Sequence, residues 1–217
     1  MTSLIPLEVV EDPTAAARRV GAFVARSAHA NSERWGRSAI ALSKSPAAML
    51  EAILEGDPPW PATDVYQVDE RVAPPGDPAR NVAVLLELLP PDRVHAMPIE
   101  DPDLDAAARR YERQVRFPLD LVHLGLGADG HTASLVPGDP VLEVRDQLVA
   151  VTREYEGRRR MTLTYPALDT AGAIVWLVTG EAKRDALGRL LAGDTSIPAG
   201  RIRNPNQLVV ADAAAAP

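Results

Sequence analysis

The chain has 217 residues, 46% hydrophobic and 24% charged, which suits one globular α/β domain over residues 1–217 with a substantial core. A formal charge of -7 at pH 7 argues against a general nucleic-acid or anionic-membrane surface, while leaving room for a local cationic pocket. The lack of cysteine excludes disulfides, thiolate catalysis and cysteine-ligated metal. No apolar run reaches transmembrane length and the N-terminus carries no signal-peptide pattern, so a cytoplasmic location is expected.

Apolar runs alternate with amphipathic ones along the chain. Leu7 to Val10 reads as a strand, and Pro13, tolerated in a first helical turn, opens a helix to about His29. Ser38 to Leu42 is a strand followed by a helix from Pro46 through Leu54. Asp64 to Val68 is a strand, Ala79 to Leu89 a helix ended by Pro90-Pro91, Val94 to Met97 a short strand and Leu104 to Val115 a helix. In the second half Leu119 to Leu126 reads as a buried central strand, with shorter strands at Leu148 to Val151 and Met161 to Thr164. Ile174 to Val178 is a buried strand, Glu181 to Leu191 a helix and Leu208 to Ala211 a last strand. Ala213 to Ala216 either extends a final helical turn or frays. The alternation implies an α/β fold: a single doubly wound, largely parallel sheet flanked by helices, of a modified Rossmann kind.

The richest stretch is the loop after the central strand, Leu124-Gly125-Leu126-Gly127-Ala128-Asp129-Gly130-His131-Thr132-Ala133-Ser134-Leu135. It places glycines, an acid, an imidazole and two hydroxyls at the carboxyl end of a strand, where α/β folds hold their ligands. Glycines admit close backbone approach, and His131 is the side chain there best suited to proton exchange near neutral pH. His29, His95 and His123 read as surface or structural residues, His123 as a wall of the buried strand. No histidine has a metal-binding spacing, and no Gly-x-Ser-x-Gly elbow occurs, which argues against zinc and serine-hydrolase chemistry.

The segment Leu119 to Gly138, with Asp129-Gly130-His131 at its centre, resembles the signature of the 6-phosphogluconolactonases, relatives of the glucosamine-6-phosphate deaminases. Further matches follow in the family's order. Val68-Asp69-Glu70-Arg71-Val72-Ala73-Pro74 with Asn81 resembles its Asp-Glu-Arg segment, and Arg160-Met161-Thr162-Leu163-Thr164 its Arg-Ile-Thr-Leu-Thr strand. Val178-Thr179-Gly180-Glu181-Ala182-Lys183 resembles its Thr-Gly-x-x-Lys turn, and Ile197-Pro198-Ala199 and Asp212-Ala213-Ala214 its closing elements. Two departures stand out. Leu42-Ser43-Lys44-Ser45-Pro46 replaces the longer Leu-Ser-Gly-Gly-Ser-Thr-Pro phosphate loop, and Arg80 takes the place of the serine before Asn81.

The resemblance implies hydrolysis of 6-phospho-D-glucono-1,5-lactone, with His131 and Asp129 catalytic and neither metal nor cofactor. Ser43, Lys44, Ser45, Asp69, Arg71, Asn81, Gly127, Gly130, Arg160 and Lys183 would bind substrate and its phosphate. The loops after Leu42, Val68, Leu126 and Val178 are expected to open onto one crevice. A base near neutral pKa can deprotonate water attacking C1 and return the proton to the departing ring oxygen. Amides of the glycine loop would stabilise the oxyanion. Asp129 would orient either the imidazole or a loop amide.

Each cation has a plainer reading. Arg71 can pair with Asp69 or Glu70 on a solvated loop, and Arg158-Arg159-Arg160 can be a basic surface, of which Arg160 alone aligns with the family. Lys183 falls in a helix's first turn, where the dipole mildly disfavours a cation, a placement easier to understand beside a bound anion. Lys44 is expected to replace, by charge, the amide donors lost with the glycines. The partner is a small phosphosugar lactone, without nucleic acid or membrane, and the chain a monomer or weak homo-oligomer. One alternative is a sugar-phosphate-binding paralogue with little turnover, acting as sensor or scaffold. Another is a deaminase, which the Thr132-Ala133-Ser134 and Asp69-Glu70-Arg71 segments disfavour.

Overall fold

The computed structural model describes residues 5–217. In chain order the elements are β1 (Leu7–Val10), α1 (Pro13–Trp35), β2 (Ser38–Leu42), α2 (Ala47–Glu55), β3 (Thr63–Gln67), β4 (Asp69–Arg71), α3 (Val82–Leu88), β5 (Val94–His95) and α4 (Leu104–Gln114), then β6 (Leu121–Gly125), β7 (Val149–Val151), β8 (Arg160–Leu163), α5 (Tyr165–Asp169), β9 (Ile174–Val178), α6 (Arg184–Leu191) and β10 (Gln207–Asp212). Seven strands form one parallel sheet in the order β1-β10-β9-β6-β2-β3-β5. Strands apolar on both faces need cover on both, and the sheet has it. Ile40, Leu42, Val65, Leu121 and Val175 point into a core made with Val20 and Val24 of α1 and Leu50 and Ile53 of α2. Their neighbours Ala41, Tyr66, Val122 and Trp176 point into the opposite core, with Tyr111 of α4, Leu168 of α5 and Leu187 of α6. The doubly wound parallel sheet expected from the sequence is present.

Several segments depart from the expected boundaries, and in three the local reason is plain. Helix α1 begins where Asp12 accepts the Ala15 N–H at 2.8 Å, but it runs past His29 to Trp35. The first residue able to turn left-handed is Gly36, with φ of 70°, and the helix stops there. Helix α3 starts at Val82 rather than Ala79, because the Glu70 carboxylate takes the N–H groups of Asn81 and Val82. Strand β5 ends at His95 because the Met97 N–H donates to the Gln67 side chain instead of a ladder. The terminal alanines form a turn on the Asp212 carbonyl, with Ala215 buried.

A second sheet was not expected. Strands β7 and β8 lie outside the main sheet and pair antiparallel with β4 in the order β4-β8-β7. Strand β4 is the Asp69-Glu70-Arg71 segment, charged throughout and so without an apolar strand signal. One face of β8 buries Met161 and Leu163, and the alternate residues Arg160 and Thr162 face the other way.

The chain order reverses between β2 and β6. From β2 the chain moves out through β3 and β5, then returns to β6 and continues through β9 and β10 in the other direction. Open α/β sheets leave a crevice at such a switch, outside the carboxyl ends of its strands. Here those ends carry the Ser43–Pro46 segment and the Asp129–His131 loop. No helix among the described residues is long and apolar enough to cross a membrane.

His123 sits inside β6 with 1% exposure, and burial pushes its imidazole from an ordinary 6.5 to about 3. The folded protein therefore keeps it neutral while the unfolded chain takes up a proton below about 6.5. Its contribution to stability is intact above that pH and fades as pH falls toward 3, by up to about 1.4 kcal/mol per pH unit. Urea unfolding of wild type and His123→Leu at pH 7 and pH 4.5 tests this. The variant should lose less stability in acid; an equal loss in both proteins would contradict it.

Candidate active site

The loop after β6 is wound tightly on itself. The Gly127 N–H donates to the His131 carbonyl at 2.8 Å and the Gly130 N–H to the Gly127 carbonyl at 3.0 Å, while Thr132 Oγ1 donates to the Gly125 carbonyl. This winding brings Asp129 back onto His131. Asp129 Oδ1 lies 2.6 Å from His131 Nδ1 and also accepts the His131 backbone N–H at 3.1 Å. A carboxylate accepts, so Nδ1 carries the proton and Nε2 is the nitrogen with a free lone pair. Nε2 has no protein partner among the described residues. Both readings left open for Asp129 are realised: it orients the ring and holds a loop amide. Burial pushes the Asp129 carboxyl up, but the His131 N–H groups and the imidazolium charge outweigh it, and it titrates below its ordinary value.

Both loop glycines are needed for shape. A Cβ at Gly127 would overlap the His131 ring and stand 2.5 Å from Asp129 Oδ1. Gly130 has φ of 81°, and a Cβ there would lie 2.5 Å from Ile197 Cβ. The amides of Gly127 and Gly130, expected to face substrate, are instead spent within the loop. Among the described residues the Ala128 N–H, between the two glycines, donates to no protein acceptor.

The small sheet faces this loop from the other side. Asp69 pairs with Thr162 and Arg71 with Arg160 in the β4–β8 register, so the four side chains share one face. Ser134 joins loop to sheet: its Oγ donates to Asp69 Oδ2 at 2.8 Å and its N–H to Thr162 Oγ1 at 3.1 Å. Burial raises the Asp69 carboxyl above its ordinary range, against the lowering by the Ser134 hydrogen bond and by Arg71. Arg71 makes no ion pair among the described residues. Its Nη1 donates to the Ala79 carbonyl at 2.8 Å and Asn81 Oδ1 at 3.0 Å, both neutral. Buried Asn81 is fixed in turn by Asp69, through its carbonyl and Oδ1. The plainer reading, a pairing of Arg71 with Asp69 or Glu70, does not form, because each carboxylate is already committed. Glu70 accepts the N–H groups of Arg71, Asn81 and Val82 and the Gln67 amide.

Arg160 differs from its neighbours. Arg159 is exposed and Arg158 pairs with Asp77 at 2.9 Å, whereas the Arg160 side chain is only 4% exposed. Its guanidinium meets Glu156 at 2.7 Å and lies 4.8 Å from the centre of the Tyr155 ring, and its Nε has no partner. Tyr155 also reaches the loop, with its hydroxyl 3.3 Å from Asp129 Oδ2. Thus Asp129, His131, Arg160, Arg71, Asn81 and Asp69 form one connected cluster. Tyr155 and Glu70 complete it; Tyr155 lay outside the sequence reading, and Glu70 entered it only as part of the Asp-Glu-Arg segment, not as a site residue. An aromatic in the polar stretch Glu154-Tyr155-Glu156-Gly157 was the available signal for Tyr155.

The remaining candidates flank the cluster. Ser43 and Ser45 are buried against β6: the Ser43 N–H donates to the His123 carbonyl, and Ser45 Oγ donates to the Ser43 carbonyl, 3.5 Å from His123 Nδ1. Lys44 is exposed between them without an ion pair. Pro46 is extended and precedes α2 instead of opening it. Lys183 is partly buried and ends a short 3-10 turn, Glu181–Lys183, before α6, so the helix expected from Glu181 begins at Arg184. That turn is held by the Gly180 N–H on buried Asp212. Lys44 and Lys183 stand beyond β2 and β9, the two neighbours of β6, and among the described residues neither makes a side-chain hydrogen bond or ion pair to the cluster. Among the described residues no group of three or more His, Asp or Glu is placed to hold a metal.

Residues 11–211 match the family model described as glucosamine-6-phosphate isomerases/6-phosphogluconolactonase. A 6-phosphogluconolactonase of a Nostoc species is 33% identical, covering 96% of each chain. That of a Synechocystis species is 37% identical over 72% of each. The crystal structure of 6-phosphogluconolactonase from Thermotoga maritima superposes with a TM-score of 0.83 at 26% identity, covering 96% of this chain and 99% of its own.

The Asp129–His131 contact depends on the missing side chain at Gly127. Gly127→Ala should expel the ring from the carboxylate, and the Asp129 carboxyl, followed by 13C NMR, should then titrate above its wild-type position. An unchanged titration would contradict the packing described.

Proposed function

The chain belongs to the glucosamine-6-phosphate isomerase/6-phosphogluconolactonase family, and from that premise we propose that it hydrolyses 6-phospho-D-glucono-1,5-lactone to 6-phospho-D-gluconate, with His131 as general base and no metal. The observation that carries the reading is the imidazole itself: Nδ1 is pinned by Asp129 at 2.6 Å and Nε2 is open.

A δ-lactone needs no covalent nucleophile. Water held at His131 Nε2 gives up a proton as its oxygen bonds to C1, and the carbonyl oxygen takes the negative charge. Asp129 stabilises the imidazolium formed, as a carboxylate on the far nitrogen does. When the tetrahedral centre collapses, the C1–ring oxygen bond breaks and Nε2–H protonates the departing oxygen, restoring the neutral base. The Ala128 N–H is the loop donor left for the oxyanion.

The phosphate is assigned to the cations. Arg71 carries an uncompensated charge directly across the ladder from Arg160, and like charges so placed repel unless an anion lies between them. A phosphate dianion supplies that anion and takes bidentate hydrogen bonds from guanidinium groups. Lys183 and Lys44 add charge from the flanking loops. Anchoring the sugar at its far end converts binding energy into orientation of C1. Asn81 and Asp69 serve by holding Arg71 rather than by touching substrate, and residues 1–217 act as one lactonase-like domain.

Purified protein should hydrolyse the phosphorylated lactone faster than its spontaneous opening, equally with and without chelator, in an assay coupled to 6-phosphogluconate oxidation. His131→Asn should lower kcat by about two to four orders of magnitude with little change in melting temperature. A variant at more than about half the wild-type kcat would overturn the base assignment. Neutralising Arg71, Arg160, Lys183 or Lys44 should raise KM for the phosphorylated lactone by roughly 10- to 100-fold, the loss of one charge-assisted contact of about 1.5–3 kcal/mol. Hydrolysis of unphosphorylated gluconolactone should hardly change; equal losses on both lactones would contradict the phosphate assignment.

A further inference from the structure

Tyr155 belongs to none of the segments that resemble the family, yet its side chain meets three charged or titratable groups of the site. Its hydroxyl lies 3.3 Å from Asp129 Oδ2, and its ring meets the His131 ring edge-on at 5.9 Å between centres. The Arg160 guanidinium stands over the same ring at 4.8 Å. The backbone that presents it is fixed. Tyr155 and Arg158 exchange N–H···O=C bonds of 3.0 and 3.3 Å around Glu156 and Gly157, both at positive φ, a tight two-residue hairpin. Ion pairs pin its two flanks, Arg158 to Asp77 and Glu156 to Arg160.

Asp129 presents one oxygen to His131. Unless the other is also held, the carboxylate can rotate about its Cβ–Cγ bond and release the ring. We propose that Tyr155 is a positioning residue: its hydroxyl locks the outer oxygen of Asp129, and so aims His131 Nε2, while its ring seats Arg160. The proposal deepens the lactonase reading and rests on it. Partners of this kind, one step behind a reacting imidazole, set its orientation and basicity. The phenol stays protonated and able to donate, because burial and the nearby Asp129 and Glu156 carboxylates push its pKa up.

Asp129 from its own loop and Tyr155 from the hairpin face the imidazole, while Arg160 of β8 stands over the Tyr155 ring and pairs with Glu156. Tyr155→Phe removes only the hydroxyl. Its kcat should fall roughly 5-fold with KM for the phosphorylated lactone unchanged, the split expected for an interaction acting on the chemical step. The acidic limb of its kcat/KM profile should also move to higher pH. A carboxylate that has lost a donor attracts the imidazolium more strongly. Tyr155→Leu removes the ring as well, and should raise KM for the phosphorylated lactone in addition. Tyr155→Phe with wild-type kcat and an unmoved acidic limb would overturn the proposal. His131→Asn, measured in parallel, separates the two levels: if that variant keeps wild-type kcat, the base assignment itself has failed. If it is inactive while Tyr155→Phe is unaffected, only the role of Tyr155 has.

Discussion

The contact between Asp129 and His131 at 2.6 Å organises the site, and much of the surrounding structure serves to make it possible. Two side chains only two residues apart seldom meet head-on, because local backbone directions carry them past one another. Here the loop closes on itself through the Gly127 and Gly130 amides, and the missing side chain at Gly127 leaves the space the ring occupies. Gly130 takes a left-handed angle against Ile197, and its carbonyl receives the Ala199 N–H, so a distant segment clamps the turn. Those constraints decide which imidazole nitrogen faces out.

The cations are arranged by a different rule. Many arginines of the chain sit in surface ion pairs, which contribute little to stability and are screened by salt. Arg71 is held by a carbonyl and an amide oxygen, which fix its direction without neutralising it. The carboxylates that might have quenched it are occupied, Glu70 by four N–H donors and Asp69 by Ser134 and Asn81. Burying Glu70 at 0% exposure is costly unless every lone pair finds a donor, and those donors set the start of α3 and the position of Asn81. The stability of β4 and the open charge of Arg71 thus have one origin. Arg160 keeps a single exposed counter-ion, Glu156, which a stronger anion can displace.

The parallel sheet was legible because its strands are long apolar runs between amphipathic helices, and the Asp129–His131 loop because it combines glycines, an acid and an imidazole at a strand end. Boundaries were less legible: the α3 start follows from Glu70, twelve residues earlier, and window-based reading of the helix cannot register that. The small antiparallel sheet was missed for a related reason. Asp69-Glu70-Arg71 looks like a solvated loop, and it becomes a strand only because it pairs with Arg160 to Thr162 of β8 and Glu70 finds its donors in tertiary structure. Tyr155 was invisible because its significance lies wholly in what the hairpin brings it near. The resemblance located Arg71 and Arg160 in the sequence, while their position opposite each other on one ladder came from the fold.

The central claim is that Asp129 holds the proton on Nδ1 and leaves Nε2 of His131 as the working base. The tautomer of His131 in the unliganded protein, read from its two ring 15N shifts at a pH above the imidazole pKa, tests that most directly. The account predicts a protonated Nδ1 and an unprotonated Nε2, with the pattern lost in Asp129→Asn. A predominant Nε2–H tautomer in the wild-type protein would contradict it.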